Sequence, residues 1–464
     1  MIKRMILITC VLLLAFAGYA MAALTAEEAA QLGGPTYTPV GSLKAGTQDG
    51  LVPAWTGGIT KGKDGWYYEG KLKVPFSKFD PKKSGLRPDP FADDKPLFTL
   101  TAQNMSQYAD KLTPGIKALL AKYPNEVKIN VYPSRRSVSY PKDVADGTLK
   151  LAKEARLAND GKTLVGGRHG IPFPFPKTGL EALWNQMVKW SGTTQYFEFK
   201  SHIVNAAGRV VMTDHGIGTM EYPFWDPKSS KPDMVYMVYE NVIGPANRVG
   251  EGQLIFFPID KSKGQPAWQY LTGQRRVKLA PEISFDGPMT PVAGMGTYDQ
   301  GQMFQGSPER YDWKLLGKKE MIVPYNTYKL TYGTKIQDTF GPHFIKPDCT
   351  RFEVHRVWVV EGTLKPKARH IYKKRTLYID EDAFTAVLSE HYDQKDNIWR
   401  VGVLSWTFDY DVQAPFSVND MGIDLVSQSY YMMMHIAETG GLRYIPARPA
   451  REWSSSVLSG RGVR

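Results

Sequence analysis

Cysteine is nearly absent: two in 464 residues, too few for a disulfide framework. Stability has to come from burial, which a chain this long can supply. Histidine is scarce as well. The eight residues are dispersed, none three or four positions from another on a predicted helix, so helical metal-ligand pairs are missing. There is no G-x-S-x-G elbow, no Walker A loop and no H-E-x-x-H helix. Nucleophile-elbow hydrolysis, P-loop phosphate chemistry and zincin chemistry therefore find no support, and neither a catalytic residue, a cofactor nor a metal site is expected. After residue 17 no run of eighteen apolar residues recurs, which leaves no candidate for a membrane-spanning helix in the rest of the chain.

What is present at the start is a leader. Lys3 and Arg4 precede an apolar run over 5–17, and Ala20, Met21 and Ala22 form a small-x-small pattern. This predicts a secretory signal peptide over 1–22, cleaved near Ala22. Cys10 lies inside the run, without the small residue before it that a lipid attachment site needs, and Cys349 then stands alone. The formal charge is +12, and Lys3 and Arg4 account for two of those charges. In an exported protein such an excess argues against nucleic acid. It points to anionic lipid headgroups, lipopolysaccharide or an acidic protein surface, or it serves solubility alone.

From 23 to about 170 the sequence is loop-rich. Short helices are expected at "LTAEEAAQL", where Thr25 and Glu28 form a capping box, over 102–112, and over 114–122 behind Thr113 and Pro114; a longer one is expected over 141–160. Then comes "IPFPFPKTGLEALWNQMVKW" at 171–190. Its prolines force an extended strap with no ladder of its own, so Phe173 and Phe175 need an apolar bed. Thr178 and Glu181 open an amphipathic helix carrying Leu183, Trp184 and Met187. Strap and helix are either ordinary core or the cap of a hydrophobic cavity. About ten strands with tight polar turns follow, including a hairpin at Asn205, Ala206, Ala207 and Gly208, and a sheet that large must curl or close. Both faces of "RFEVHRVWVVE" and "IWRVGVLSWTF" carry large apolar groups, so neither face meets water alone. The fold class is α+β: a large curved antiparallel sheet with covering helices.

Aromatic residues make up 12% of the chain. Trp184, Trp190, Phe256, Trp268, Tyr270, Trp358, Trp399 and Trp406 are candidate cavity liners, with the alternative that each is plain core. Arg275 and Arg276, with Arg369 and Arg375 in "KPKARHIYKKR", are candidates to grip a phosphate or carboxylate headgroup, or else protect solvated strand edges. His355, His370 and His391 lie on neighbouring predicted strands, and "YIDEDAF" reads as a turn.

Several long stretches together, among them "GIPFPFP", "GQRRVKLAPEISFDGP", "YDWKLLGKKEMIVPYN" and "RFEVHRVWVVEGTLKPKARHIYKKRTLYIDEDAF", resemble the Gram-negative family catalogued as domain of unknown function 1329. The likeness covers nearly the whole chain after the leader, in the same order. It implies a fold like the Lol lipoprotein carriers, a half-barrel whose concave apolar side is covered by helices, here on 171–464, with 23–170 as an N-terminal extension. It also implies a periplasmic location and two partners, an outer-membrane protein and an exporter of the resistance-nodulation-division type. The function expected is binding and carriage of a hydrophobic or amphiphilic, lipid-like molecule between exporter and outer membrane. The alternative is an assembly protein that docks onto an outer-membrane partner.

Overall fold

The computed structural model describes residues 23–461 apart from 65, 71 and 74–78; the leader lies outside the described residues. No helix among them is long and apolar enough to cross a membrane. A first helix, Ala26–Gln31, opens on the Thr25 and Glu28 capping box. It is followed by a small sheet of β1 (Ile59–Lys61), β2 (Tyr67–Glu69) and β3 (Leu72–Lys73). β4 (Phe98–Leu100) and β5 (Ile129–Val131) flank the helix Pro114–Lys122, which Thr113 caps. The stretch 102–112 holds only a 3-10 turn, Met105–Tyr108. The expected helix over 141–160 stops at Leu151, and β6 (Arg156–Ala158) pairs with β7 (Thr163–Val165). Asn159, Asp160 and Gly161 all take positive φ, so this Asn-Asp-Gly is a hairpin tip rather than a helix stop.

The main sheet has sixteen strands and is built from two meanders. The first runs outward through β8 (Thr194–Val204), β9 (Val210–Glu221), β10 (Met234–Gly244), β11 (Gly252–Pro258), β12 (Ala267–Leu271) and β13 (Arg276–Leu279). A crossover, 280–310, carries the chain to the far side. The second meander returns through β14 (Tyr311–Pro324), β15 (Phe352–Leu364), β16 (Lys374–Asp380), β17 (Ala386–Tyr392), β18 (Ile398–Asp409), β19 (Ala414–Asp424) and β20 (Ser429–His435). β20 pairs with β8, and β21 (Leu442–Tyr444) pairs with the other end of β8. β4 and β5 extend the sheet beyond β15. The sheet stays open, with β13 at one end and β4 at the other. Asn205 shapes the β8–β9 hairpin by accepting from the Ala207 and Arg209 amides.

Both faces are covered. On β17 and β18, Glu390 pairs with Val401 and Ser389 with Gly402, so these pairs point to opposite sides. Helix Pro114–Lys122 rests against the first pair through Gly115, and Met303 of the crossover rests against the second. The proline strap is held by its own helix: the Phe173 amide donates to Asn185 Oδ1 at 3.0 Å and the Phe173 carbonyl accepts from Asn185 Nδ2 at 2.7 Å. Asn185→Leu therefore leaves a buried donor and acceptor unpaired. It is expected to cost about 2 kcal/mol, measured as a lower urea midpoint; a shift under a quarter of that removes the strap's dependence on Asn185.

Candidate functional site

The hollow of the sheet lies on the first meander. Register places Phe197, Gly218, Glu240 and Gln253 in one cross-strand row and Met220, Val238 and Ile255 in the next. Gly218 lies in the floor of the hollow, and Gly216 stands beside it in the same strand. A Cβ at Gly218 would lie 3.0 Å from the Phe197 ring and one at Gly216 2.7 Å from Phe199, so both rings fold down over bare backbone. The roof is the crossover, through Met289, Pro291, Tyr298, Gln302 and Gln305, and Met433 and Met434 close one side. The space is about 80 Å³ and mostly apolar. Four of its walls are methionines, whose unbranched side chains yield to different shapes.

Several polar contacts pin the roof. Thr213 Oγ1 donates to the Pro291 carbonyl at 2.7 Å, and the Gln302 amide donates to Asp420 Oδ2 at 2.8 Å. Asp299 receives Arg375 Nη2 at 3.1 Å and pairs with His370 Nε2 at 3.0 Å. Phe285, Ala293, Gln302 and Met303 sit at φ between 46° and 67°, a region L residues occupy only under constraint. The helix Gly179–Met187 lies on β14 and β15 beside this roof. Its Gln186 donates to the carbonyls of Gln302 and Phe304, so the helix braces the segment that covers the hollow. It can lie that close because Gly179 has no side chain: a Cβ there would fall 2.7 Å from the Lys314 backbone.

Two further cavities adjoin the hollow. A narrow one of about 30 Å³ shares Met220, Gln302 and Gln305 with it. A wider one of about 280 Å³, toward the surface, shares Lys261 and Gly306 with the narrow one. Lys189 and Lys261 both line the narrow cavity. Burial pushes each ammonium down to about 7. At the inner end, Gln253 Nε2 donates to Glu240, and Asp214 is fully buried with Arg248 Nη1 3.5 Å away. Burial, then the neighbouring Glu240 charge, pushes the Asp214 carboxyl up to about 9, so it holds its proton at neutral pH.

The sequence-derived candidates fall in several places. Phe173, Trp184 and Trp190 are in the core beneath the strap, with the Trp184 indole donating to Gly161 O and the Trp190 indole to Gln413 O. Phe175 is half-buried, edge-on to Tyr37 at 4.8 Å. Phe256, Trp268 and Tyr270 cluster on the opposite face of the first meander, under Trp453 and Leu458. Their neighbour Phe257 is the one that lines the hollow. Arg275 and Arg276 are exposed at the tip of the β12–β13 hairpin, and Arg369 is exposed in the β15–β16 loop. Arg375 is wholly buried against Asp299, while Trp358 is half-buried beneath Lys318 and Trp406 lies in the other large core cluster. Trp399 donates to Asp424. The hollow's own residues are marked in the sequence only by the alternating glycines of "HGIGTME" and the methionines of "YYMMMH", and Lys189 and Lys261 of the adjoining narrow cavity carry no mark at all.

Of the three histidines expected on strands, His370 lies in the β15–β16 loop, and each is spent separately: His355 on Glu353, His370 on Asp299, and His391 on Ser389. Among the described residues no group of three or more His, Cys, Asp or Glu is placed to hold a metal. A larger cavity, about 660 Å³, lies elsewhere. It is a cleft of mixed character between 86–96 and 327–351, with Phe91 and Leu330 among its walls and Asp89, Lys95, Lys329, Asp348 and Arg351 at its edges.

A family model described as "Protein of unknown function (DUF1329)" matches residues 99–459. The uncharacterized protein PA3922 of Pseudomonas aeruginosa is 37% identical over 451 residues, 96% of this chain and 95% of that protein. Among solved structures, a candidate outer-membrane lipoprotein-sorting protein domain from Vibrio parahaemolyticus matches with 14% identity and a TM-score of 0.43, over 61% of this chain and 98% of its own. A DUF1329 family protein from Desulfovibrio piger gives 14% and 0.41, over 60% and 95%. The membership of the chain rests on the sequence matches, and its architecture on the strands described above.

Proposed function

We propose, from the premise that this chain belongs to the DUF1329 family, that it binds the apolar part of an amphiphile between the first meander and the crossover. The observation that carries the reading is the hollow itself: a floor that holds Gly218, methionine walls and a roof that is a separate, strained segment rather than part of the sheet. At about 80 Å³ it is well below the ~300 Å³ at which ordinary ligand pockets begin. Filling it therefore requires the methionines to swing aside and the crossover to lift. An apolar chain gains about 0.8 kcal/mol for each methylene removed from water, so even a short one offsets a modest opening cost. With the leader read as an export signal, the protein would carry such a molecule through the periplasm, from an inner-membrane exporter toward an outer-membrane protein.

Protein stripped with solvent is expected to take up a fluorescent fatty probe with a Kd on the order of micromolar, and extracts of gently purified protein should contain a copurifying amphiphile. No uptake together with clean extracts removes the reading. A second reading, a docking protein for an outer-membrane partner, draws on the charged 660 Å³ cleft. Capture that is lost in high salt, with no lipid bound, favours it.

A further inference from the structure

Lys189 and Lys261 stand where the surface pocket narrows into the apolar hollow. Each is at least nine-tenths buried. An ammonium withdrawn from water is costly unless an anion meets it. The fold supplies little. Lys261 faces the rings of Trp184 and Phe257 at 5.7 and 5.9 Å, and among the described residues it has no ion pair. Lys189 is held by two neutral amide oxygens, Gln186 Oε1 at 3.1 Å and Gln302 Oε1 at 3.4 Å. Asp420, an acidic group whose charge bears on Lys189, accepts the Gln302 amide through Oδ2, and burial pushes its carboxyl up to about 7. Ser191 and Tyr222 add hydroxyls to the same cavity.

We propose that Lys189 and Lys261 are the headgroup site: they take the single anionic group, carboxylate or phosphate, of an amphiphile whose chain lies in the adjoining hollow. The inference rests on the carrier reading above and narrows it to one class of ligand. The two ends of the hollow differ in the required sense. Lys189 and Lys261 stand at the mouth, whereas Glu240 and Gln253 line the other end, with the buried Asp214 beside Glu240, so an anion is directed outward and an apolar tail inward.

The experiment compares dodecanoate, dodecyl phosphate, dodecanol and dodecylamine, below their micellar concentrations, on the full protein and on Lys189→Met and Lys261→Met. Both anions are expected to bind at least about tenfold more tightly than the alcohol, and the amine least. Each variant should lose about tenfold for the anions and keep its affinity for dodecanol, which also reports that it is folded. Equal binding of anion and alcohol, or an undiminished preference in both variants, overturns the headgroup site while leaving the carrier reading intact. Failure of every chain, whatever its head, sinks the carrier reading and this inference together. Inorganic phosphate alone is expected not to bind. If it binds as tightly as the dodecyl anions, the site is a free-anion site and the proposal falls.

Discussion

Asp299→Ala is expected to destabilise the protein by about 3–5 kcal/mol and to release the crossover from the second meander. Arg375 is wholly buried, and its Nε and Nη1 have no hydrogen-bond partner. Asp299 is its only ion-pair partner among the described residues, at 3.1 Å. Removing the carboxylate leaves a buried guanidinium beside His370 with only the Phe304, Tyr311 and Tyr372 rings, and no anion among the described residues, to offset it. Burial by itself would raise the Asp299 carboxyl, yet the adjoining Arg375 and His370 hold it well below the usual carboxylate range. Its contribution is therefore present above the unfolded value of about 3.9 and is lost as pH falls below it. Acid titration of the wild type should show that loss below about pH 4, and Asp299→Ala should not. Hydrogen exchange over 289–305 would report the loosened roof. If Asp299→Ala costs under about 1 kcal/mol, the pair does not anchor the crossover. The double variant with Arg375→Leu should recover part of the loss, since an apolar pair replaces a broken ion pair.

Arg136→Met should cost a similar ~3–5 kcal/mol and expose the N-terminal segment to protease. Arg136 grips Asp382 with two bonds of 2.8 and 2.7 Å inside the fold. Burial works against the Asp382 charge, and the Arg136 charge holds it ionised, below the usual carboxylate range. The same turn receives Ser42 Oγ on the Glu381 carbonyl and Tyr140 Oη on the Asp382 carbonyl. Arg356, paired with Glu381, reaches the carbonyls of Leu43 and Ala45. Without Arg136 the Asp382 carboxylate is left buried and unpaired, and 38–58 loses one clasp, the bonds that Arg136 Nη1 donates to the Lys44 and Pro53 carbonyls. Limited proteolysis should then cut in that stretch at protease levels the wild type resists. An unchanged cleavage pattern would falsify the clasp.

The turn "YIDEDAF" illustrates what could be read in advance. Its position as a turn between two strands followed from spacing, but the burial of its acids depends on arginines 246 and 25 positions away. The capping box at Thr178 and Glu181, the hairpin at Asn205 and the large antiparallel sheet were all legible, because each is written in local pattern. The site was much less so. Phe256 and Phe257 are adjacent and apolar, and since Trp453 and Leu458 cover the outer face, polarity does not distinguish inside from outside. A period of two fixes alternation and leaves the phase open. Lys189 and Lys261 read as surface residues, as most lysines are. The crossover, with glycine, proline and methionine and no period, reads only as a loop.

Strand β8 is bonded on one side to β9, close in sequence, and on the other to β20, with Ser201 and Met434 in contact across 233 positions. A ribosome delivers the first partner at once and the second only some 233 positions later. Until then the middle of the future sheet is a bare ladder of amides and carbonyls, a template for any other growing chain. Truncation ahead of Ser429 would make that condition permanent. Nascent copies therefore expose this flank while they lengthen, and crowded overexpression should favour inclusion bodies over slow, non-local zipping.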